Sequence, residues 1–332
     1  MALYYVAHRL FAAHDRALAA YVAHHLARRF GPDAVFLPFC DTDEENLDHP
    51  CKGRRLFELD SERLARIDAM VAILHGPSLD DGVCMEIGYA ASRGVPILAV
   101  TTDFQVYGPT ADTALRSLFP DPLLQHVVSR VISVPQLGPP GGEDDRFERF
   151  LAQNLHAITR AATETVDALT GWLTPSPALP PPHINGQRTA YVEPPLYGGD
   201  GWTTRVSDAL RAYGFATHRA ERFTNAATDP TLTAVEDWTA LAHASLAVVD
   251  IRGPETPPGA ALVIGACAAT GRPVFAPEPG CWWTFAHGRE PNYRNLMIQY
   301  GLTGTFSDLD ELTKHLEVRW QPTSRRGPTA TK

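Results

Sequence analysis

The sequence predicts an α/β protein made of two tandem doubly wound parallel-sheet domains. Apolar runs of strand length alternate with helical patterns through both halves of the chain, which favours parallel strands joined by right-handed crossovers. A glycine-marked segment of the first half recurs in the second half, and a proline-rich stretch separates the halves. The length of 332 residues suits about two domains.

Two compositional breaks set the expected domain boundaries. Residues 1–137 and 188–320 are the two predicted globular units. Residues 138–187 between them contain a helical pattern and the proline-rich segment 174–182, which favours an extended linker. Residues 321–332 are expected to form a flexible tail.

The first unit places the start of a helix at a probable sheet edge. A first strand within residues 1–7 is followed later by a helical pattern at 57–67, a strand at 69–74 and a turn at 75–78. A helix of small residues follows, with Glu86 just inside its start and Gly94 at its end. Open α/β sheets bind ligands where such strands end, so this turn is the expected ligand edge.

The second unit repeats this pattern. Residues 244–251 match residues 67–74, which include the strand at 69–74, and residues 259–274 align without a gap with residues 82–97, with the glycines in register. The period is too long for a solenoid, so the interpretation is a domain duplication. Each copy is expected to have a flavodoxin- or Rossmann-like sheet.

Composition excludes several classes of function. The net charge is −9 and the basic residues form no extended cluster, which argues against a nucleic-acid partner. Five cysteines without a Cys-x-x-Cys spacing favour a reduced compartment and no zinc site. No apolar run approaches the length of a membrane span, and the start lacks a signal core. We therefore expect a cytoplasmic protein without a membrane partner.

Three carboxylates and a tyrosine are expected to meet at the ligand edge. Glu86 opens the helix after the strand at 69–74, and Asp80 lies in the turn before it. Asp60 lies on the helix that precedes this strand, and Tyr5 lies on the first strand. A carboxylate there can attack the anomeric carbon of a sugar while a neighbouring carboxyl group protonates the leaving base. Each residue also has a structural alternative, as a helix-terminal acid, an N-cap, a solvated helix residue or a core residue.

Several of these residues stand in motifs. The segment Asp80-Asp-Gly-Val-Cys-Met-Glu-Ile-Gly-Tyr-Ala90 resembles the catalytic segment of the nucleoside 2-deoxyribosyltransferase family, Asp-x-Gly-x-x-x-Glu-hydrophobic-Gly-x-Ala. Asp60 lies 26 positions before Glu86, as in that family. The strand from Tyr5 to Phe11 and the segment Asn295-Leu-Met297 also resemble motifs of the family.

The resemblance implies a role for each residue. Glu86 would be the nucleophile, Asp60 and Asp80 would handle the base and its proton, and Tyr5 would orient the nucleophile. The substrate-binding residues implied are Phe11, Gly82, Met85, Asn295 and Met297. The partners implied are small-molecule nucleosides and nucleobases, with retention of configuration and with no metal or organic cofactor.

The second unit departs from the family at the catalytic positions. Val263 stands in the place of the motif's glutamate and Pro257 in the place of its first aspartate, so this copy is expected to be inactive. Conversely, the first unit has Arg116-Ser-Leu118 where the second keeps Asn295-Leu-Met297. By the resemblance, a neighbouring subunit completes each site. We therefore expect an internal pseudo-dimer with one working site, and assembly into a homo-oligomer is left open.

Three functions stay open at this point. The first is transfer of 2-deoxyribose between nucleobases, in nucleotide salvage. The second is N-glycoside hydrolysis of nucleosides or nucleoside 5′-monophosphates, and the third is non-catalytic nucleotide sensing on the same fold. The loop Ala7-His-Arg-Leu-Phe11 lacks the glycines of the phosphate-holding loop of related hydrolases, which weakens the monophosphate alternative. The sequence fixes neither the preferred base nor ribose against deoxyribose.

Overall fold

The computed structural model describes residues 2–107, 116–139, 141–142, 145–182, 188–196, 201–222, 229–280 and 283–320. These residues contain one five-stranded parallel sheet in each half of the chain, with helices between the strands. The predicted α/β class and the two doubly wound units are therefore confirmed. The predicted tail at 321–332 lies outside the described residues. Among the described helices, none is both long enough and apolar enough to cross a membrane.

The first unit follows a strand–helix alternation. Its elements are β1 (Tyr4–Ala7), α1 (Ala13–Phe30), β2 (Val35–Phe36), α2 (Lys52–Leu64), β3 (Ala69–Ile73), α3 (Asp81–Ser92), β4 (Ile97–Thr101), α4 (Pro122–Val127), β5 (Arg130–Ser133) and α5 (Arg146–Thr170). The strands lie in the order β2-β1-β3-β4-β5. The order reverses between β1 and β3, and open α/β sheets bind ligands at such a reversal, outside the carboxyl ends of the strands.

The second unit has the same arrangement. Its elements are β6 (Thr189–Glu193), α6 (Gly201–Ala212), β7 (Ala216–Arg219), α7 (Pro230–His243), β8 (Leu246–Val249), α8 (Pro258–Thr270), β9 (Val274–Pro277), α9 (Leu296–Gly301), β10 (Gly304–Phe306) and α10 (Leu309–Arg319). Read from its other edge, the sheet has the order β7-β6-β8-β9-β10. Each element of this unit therefore has an equivalent in the first, with α8 equivalent to α3 and α9 to α4.

The two units share one core. Residues on the inner faces of both sheets and on α2, α3, α4, α7, α8 and α9 form a single apolar cluster. Separate clusters lie on the outer faces, under α1 and α5 in the first unit and under α6 and α10 in the second. Burial of apolar side chains drives this packing, so the units are joined by the same force that folds each of them.

Glycines allow α3 and α8 to cross in backbone contact at the centre of the molecule. A Cβ atom placed on Gly88 would lie 1.9 Å from the carbonyl oxygen of Leu262. A Cβ atom placed on Gly265 would lie 1.8 Å from the carbonyl oxygen of Met85. Neither distance is sterically allowed, so these two positions require glycine for the helices to approach this closely. The contact is reciprocal, since each helix supplies one glycine and one carbonyl group.

The segment between the units is bound to both of them. The helix expected near its start is α5, which packs on α1, β4 and β5 and so belongs to the first unit. The backbone of the proline-rich segment is held by hydrogen bonds from both units. The Leu179 N–H donates to the Ser92 carbonyl at 2.8 Å, and Trp238 Nε1 donates to the Pro177 carbonyl at 2.8 Å. The linker is therefore a fixed part of the interface.

Candidate active site

A cavity of about 230 Å³ opens at the predicted ligand edge, outside the ends of β1 and β3. It is lined by seven of the predicted site residues, which are Phe11, Asp60, Asp80, Gly82, Glu86, Asn295 and Met297. The structure therefore brings together residues of the first unit with residues of the second. Phe11 is 64% exposed and lies at the mouth of the cavity, whereas Glu86 is 6% exposed.

Tyr5 holds Glu86 in position. Glu86 lies in the second turn of α3, and the Tyr5 hydroxyl on β1 donates to its Oε1 at 2.6 Å. Burial raises the pKa of Glu86 well above its usual range, the charge of Asp60 adds to this, and the Tyr5 hydrogen bond acts in the opposite direction. The hydroxyl group therefore favours the ionised carboxylate, which is the form that can act as a nucleophile.

Asp60 has the properties of a proton donor. Its side chain, on α2, is buried at 7% exposure, and its Oδ1 has no hydrogen-bond partner among the described residues. Burial raises the pKa of Asp60 from an ordinary 3.8 to about 7. A carboxyl group with such a pKa is partly protonated near neutral pH, so it can give a proton to a ligand in the cavity and take it back.

Asp80 fixes the start of α3. Its Oδ1 accepts a hydrogen bond from the Val83 N–H at 2.9 Å, so Asp80 is the N-cap of α3. An N-cap was one of the structural roles that the sequence allowed for this residue. Burial, followed by the charge of Asp81, raises the pKa of Asp80 to about 7. Asp80 therefore both caps α3 and lines the cavity.

Among the described residues, no three His, Cys, Asp or Glu side chains are grouped so as to hold a metal ion.

The second unit closes the cavity through the segment before α9. Asn295 is the N-cap of α9, where its Oδ1 accepts from the Met297 N–H at 3.0 Å. Its Nδ2 lies 2.5 Å from where a Cβ atom on Gly82 would stand, so Gly82 makes room for this side chain. Asn292 also lines the cavity, and its buried Oδ1 has no hydrogen-bond partner among the described residues.

Two ionic contacts hold this segment against the first unit. Arg289 forms an ion pair with Glu44, and both side chains line the cavity. The neighbouring Glu290 accepts hydrogen bonds from the N–H groups of Gly53 and Arg54 at the start of α2, at 3.0 and 3.2 Å. Partial burial alone would raise the pKa of Glu290, but these bonds and one from the Tyr300 hydroxyl lower it to about 2. The wall is therefore anchored both to the segment before α2, through Glu44, and to the first turn of α2.

Two predicted site residues do not line the cavity, namely Tyr5, which reaches it through its hydrogen bond to Glu86, and Met85. Met85 does not line the cavity; its carbonyl oxygen abuts Gly265, and its Cε lies 2.9 Å from where a Cβ atom on Gly301 would stand. The position next to Glu86 on a helix points about 100° away from it, here into the core between the units. Met85 is fully buried there.

Sequence reasoning missed several lining residues, among them His8, Glu44, Arg289, Asn292 and Arg294. Two of these, Asn292 and Arg294, stand within three positions before Asn295 in the sequence, and that proximity was an available signal. The others belong to loops whose convergence depends on how the two units pack.

The structure corrects one equivalence drawn from the sequence. Sequence position matches Arg116-Ser-Leu118 to Asn295-Leu-Met297, but the residue equivalent to Asn295 in the fold is Asp121. Asp121 is the N-cap of α4, as Asn295 is of α9, and its Oδ1 accepts from the Leu123 N–H at 2.8 Å. Val263 does lie on α8 where Glu86 lies on α3, and Pro257 is the α8 N-cap.

Comparison with known proteins links the first unit to one family. The family model described as nucleoside 2-deoxyribosyltransferase matches residues 4–150. Among solved structures, a conserved protein from Enterococcus faecalis V583 is 30% identical, over 34% of this chain and 70% of its own, with a TM-score of 0.27. A 2-deoxyribosyltransferase from Bacillus psychrosaccharolyticus is 18% identical, over 40% of this chain and 98% of its own, with a TM-score of 0.32. No curated protein matches the chain.

Proposed function

The chain belongs to the nucleoside 2-deoxyribosyltransferase family through residues 4–150, and from this membership we propose that it transfers 2-deoxyribose between nucleobases through a covalent ester on Glu86. The observation that carries the proposal is the Tyr5–Glu86 hydrogen bond of 2.6 Å beside a cavity that Asp60 also lines. A buried carboxylate whose ionised form is favoured by a hydroxyl group, next to a carboxyl group able to donate a proton, suits displacement at an anomeric carbon.

In the first half-reaction the Glu86 carboxylate attacks C1′ of the bound nucleoside. The bond between C1′ and the base nitrogen breaks, and its electron pair stays on that nitrogen. Asp60 supplies the proton that neutralises the leaving base, which its raised pKa and unpartnered Oδ1 support. The products are a free base and a 2-deoxyribosyl ester of Glu86.

In the second half-reaction a nitrogen of the incoming base attacks C1′. The ester bond breaks, its electron pair returns to the Glu86 carboxylate, and the proton lost by the incoming base goes to Asp60. Each displacement inverts the configuration at C1′, so the two together retain it. A water molecule in place of the second base would give hydrolysis instead.

The charge around the cavity supports a neutral nucleoside as substrate. Asp60, Asp80 and Glu86 are joined in the wall by Asp81, Glu44 and Glu255. The arginines of the wall are engaged: Arg289 pairs with Glu44, and Arg294 donates to the carbonyl oxygens of Ile251 and Gly253 at 2.8 and 2.7 Å. A 5′-phosphate placed among these carboxylates would be repelled, so the proposed substrates carry none.

We further propose that the chain is an internal pseudo-dimer with one working site. The first unit supplies Glu86, Asp60 and Asp80, and the second supplies Asn292 and Asn295 to the same cavity. The reciprocal crossing of α3 and α8 supports this symmetry. The sugar hydroxyls are the expected ligands of the two asparagines, since Asn292 has an unpartnered acceptor. Nucleotide salvage and a cytoplasmic location stay predictions.

The test is base exchange followed by chromatography. The protein is incubated with a 2′-deoxynucleoside, with and without a second nucleobase, and both new nucleoside and free base are measured. We expect new nucleoside only when the acceptor base is present, and a loss of at least about 10³-fold in Glu86→Gln. Glu58→Gln, a change at an exposed carboxylate on the outside of α2, is the matched control and should keep the wild-type rate.

Other outcomes identify the alternatives. Free base released at the same rate with and without an acceptor would assign hydrolysis. Binding of a nucleoside with no turnover would assign a sensing role and refute the enzymatic proposal. A 2-fluoro nucleoside should leave a sugar adduct on Glu86, detected by mass spectrometry of its peptide, and absence of that adduct despite turnover would refute the covalent step.

A further inference from the structure

In the second unit, the position equivalent to the cavity is filled by a side chain of the protein itself. Tyr191 on β6 is equivalent to Tyr5, Asp237 on α7 to Asp60, and Asp121 to Asn295. The helix start at Gly259 is equivalent to that at Gly82. The side chain that fills the space between these residues is Arg222, which follows β7.

Charge-assisted hydrogen bonds to three carboxylates hold the Arg222 side chain there. Its Nε and Nη2 donate to the two carboxylate oxygens of Asp121 at 2.9 and 3.2 Å. Its Nη2 and Nη1 donate to Glu193 at 2.5 and 3.1 Å, and Nη1 also donates to Asp237 at 3.2 Å. The planar guanidinium group thus makes bidentate contacts with both Asp121 and Glu193, and bidentate pairs are among the strongest hydrogen bonds to carboxylates.

The site is closed around this guanidinium group. Arg222 is 2% exposed, and Asp121, Glu193 and Asp237 are each at most 3% exposed. A Cβ atom on Gly259 would lie 1.9 Å from Arg222 Nη2, so the glycine that makes room for Asn295 in the first unit makes room for arginine here. The Tyr191 hydroxyl donates to Glu193 at 2.9 Å, and His218 Nε2 lies 3.0 Å from Asp237 Oδ1.

We propose that the second unit's cavity is a guanidinium-binding site with a built-in occupant, the Arg222 side chain, and that it is therefore closed to nucleosides. The site holds three carboxylates around one guanidinium group, and one of the carboxylates, Asp121, comes from the other unit. Arg222 thus joins the two units across the position where the first unit keeps an open cavity. This inference rests on geometry alone and does not depend on the proposed function.

The ligand class follows from the contacts. A free planar cation with several N–H donors, such as guanidinium or methylguanidinium, would reproduce the bidentate pairs if the arginine were shortened. Arg222→Ala leaves three buried carboxylates without their cation, and loss of one partner of a buried ionic group is strongly destabilising. We expect the melting temperature to fall by roughly 10 °C.

The experiment is chemical rescue followed by thermal unfolding. Arg222→Ala is melted with and without about 20 mM guanidinium chloride, a concentration far below the molar range in which this salt denatures proteins. We expect guanidinium to restore about half of the lost melting temperature, as mass action requires of a ligand for the folded state. Equal concentrations of NaCl and of urea, a neutral molecule of the same shape, should restore none of it. Equal recovery with all three, or none with guanidinium, would overturn the proposal.

Two further variants keep the test decisive. Arg252→Ala is the matched control, because Arg252 pairs with a buried aspartate but is itself 44% exposed in its side chain; its melting temperature should show no guanidinium-specific change. If Arg222→Ala does not fold on expression, it is refolded from urea with and without guanidinium. A yield that guanidinium fails to raise would count against the site. Arg222→Lys, which keeps a cation in place, should fold and be insensitive to guanidinium.

Discussion

Removing the Tyr5 hydroxyl should change the pKa of Glu86 and leave the other proposed catalytic groups unchanged. In Tyr5→Phe the ring stays in the core, where it packs beside Phe36 at a centroid distance of 5.3 Å, and only the donor to Glu86 is lost. Since this hydrogen bond lowers the pKa of Glu86 against the effect of burial, the variant should have a glutamate that is harder to ionise. The expected defect is therefore largest at low pH.

The magnitude follows from the geometry. A buried hydrogen bond of 2.6 Å to a charged acceptor contributes about 1.5–3 kcal/mol. Its loss raises the pKa of Glu86, so the acid limb of the rate profile should move to higher pH. A free-energy difference of about 1.4 kcal/mol changes an equilibrium about tenfold. At pH values below this limb the rate should fall by about 10- to 100-fold, and above it the two rates should converge.

The assay is kcat/KM for base exchange measured across a pH series. Tyr191→Phe is the matched control, because it removes the equivalent hydroxyl from the closed site of the second unit, where the acceptor is Glu193. We expect it to change the melting temperature and to leave the pH profile unchanged. An acid limb of Tyr5→Phe at the wild-type position would refute the role assigned to the hydroxyl group.

Three further predictions concern stability and the contribution of the second unit. Because the pKa of Asp60 rises from 3.8 to about 7 on folding, its contribution to stability is present below about pH 4 and is lost as the pH rises towards 7. Asp60→Asn should therefore be more stable than wild type at pH 8, by up to about 4 kcal/mol, with the difference closing near pH 4 in urea titrations. Gly88→Ala should lower the free energy of unfolding by about 3 kcal/mol or more, since its Cβ atom would lie 1.9 Å from the Leu262 carbonyl oxygen; an unchanged urea midpoint would contradict the crossing. Asn295→Ala should lower kcat/KM by about tenfold and also cost about 1 kcal/mol of stability through the lost N-cap. Asn295→Asp should keep the cap, so the two effects can be measured separately.

The fold was predictable from the sequence because its signals are local. Strand-length apolar runs such as Ala69–Ile73 and helix starts such as Asp80 are set by neighbouring residues, and their alternation indicates a parallel sheet. The candidate carboxylates were predictable for the same reason. Each of them follows from a position in one unit, and the topology brings those positions to one edge of the first sheet.

The remainder of the site depends on contacts between the units, which leave no periodic signal. The motif suggested that Met85 faces a ligand, but the crossing of α3 and α8 buries it in the core. Arg222 reads as an ordinary charged residue in the sequence, although it is 2% exposed. Its burial is possible only because carboxylates from three other elements converge on it, and one of those, Asp121, lies 101 positions away in the chain.

The wall that Asn292 and Asn295 add to the cavity beside Glu86 comes from the same polypeptide as Glu86. Two separate subunits that shared a site in this way would lose activity on dilution, because mass action would part them. Here the segment from α5 to β6 keeps the two halves at a high local concentration however little protein is present. Specific activity should therefore stay constant down to the lowest enzyme concentration that can be assayed. The two halves are also free to accumulate different substitutions, since a change in one is not repeated in the other.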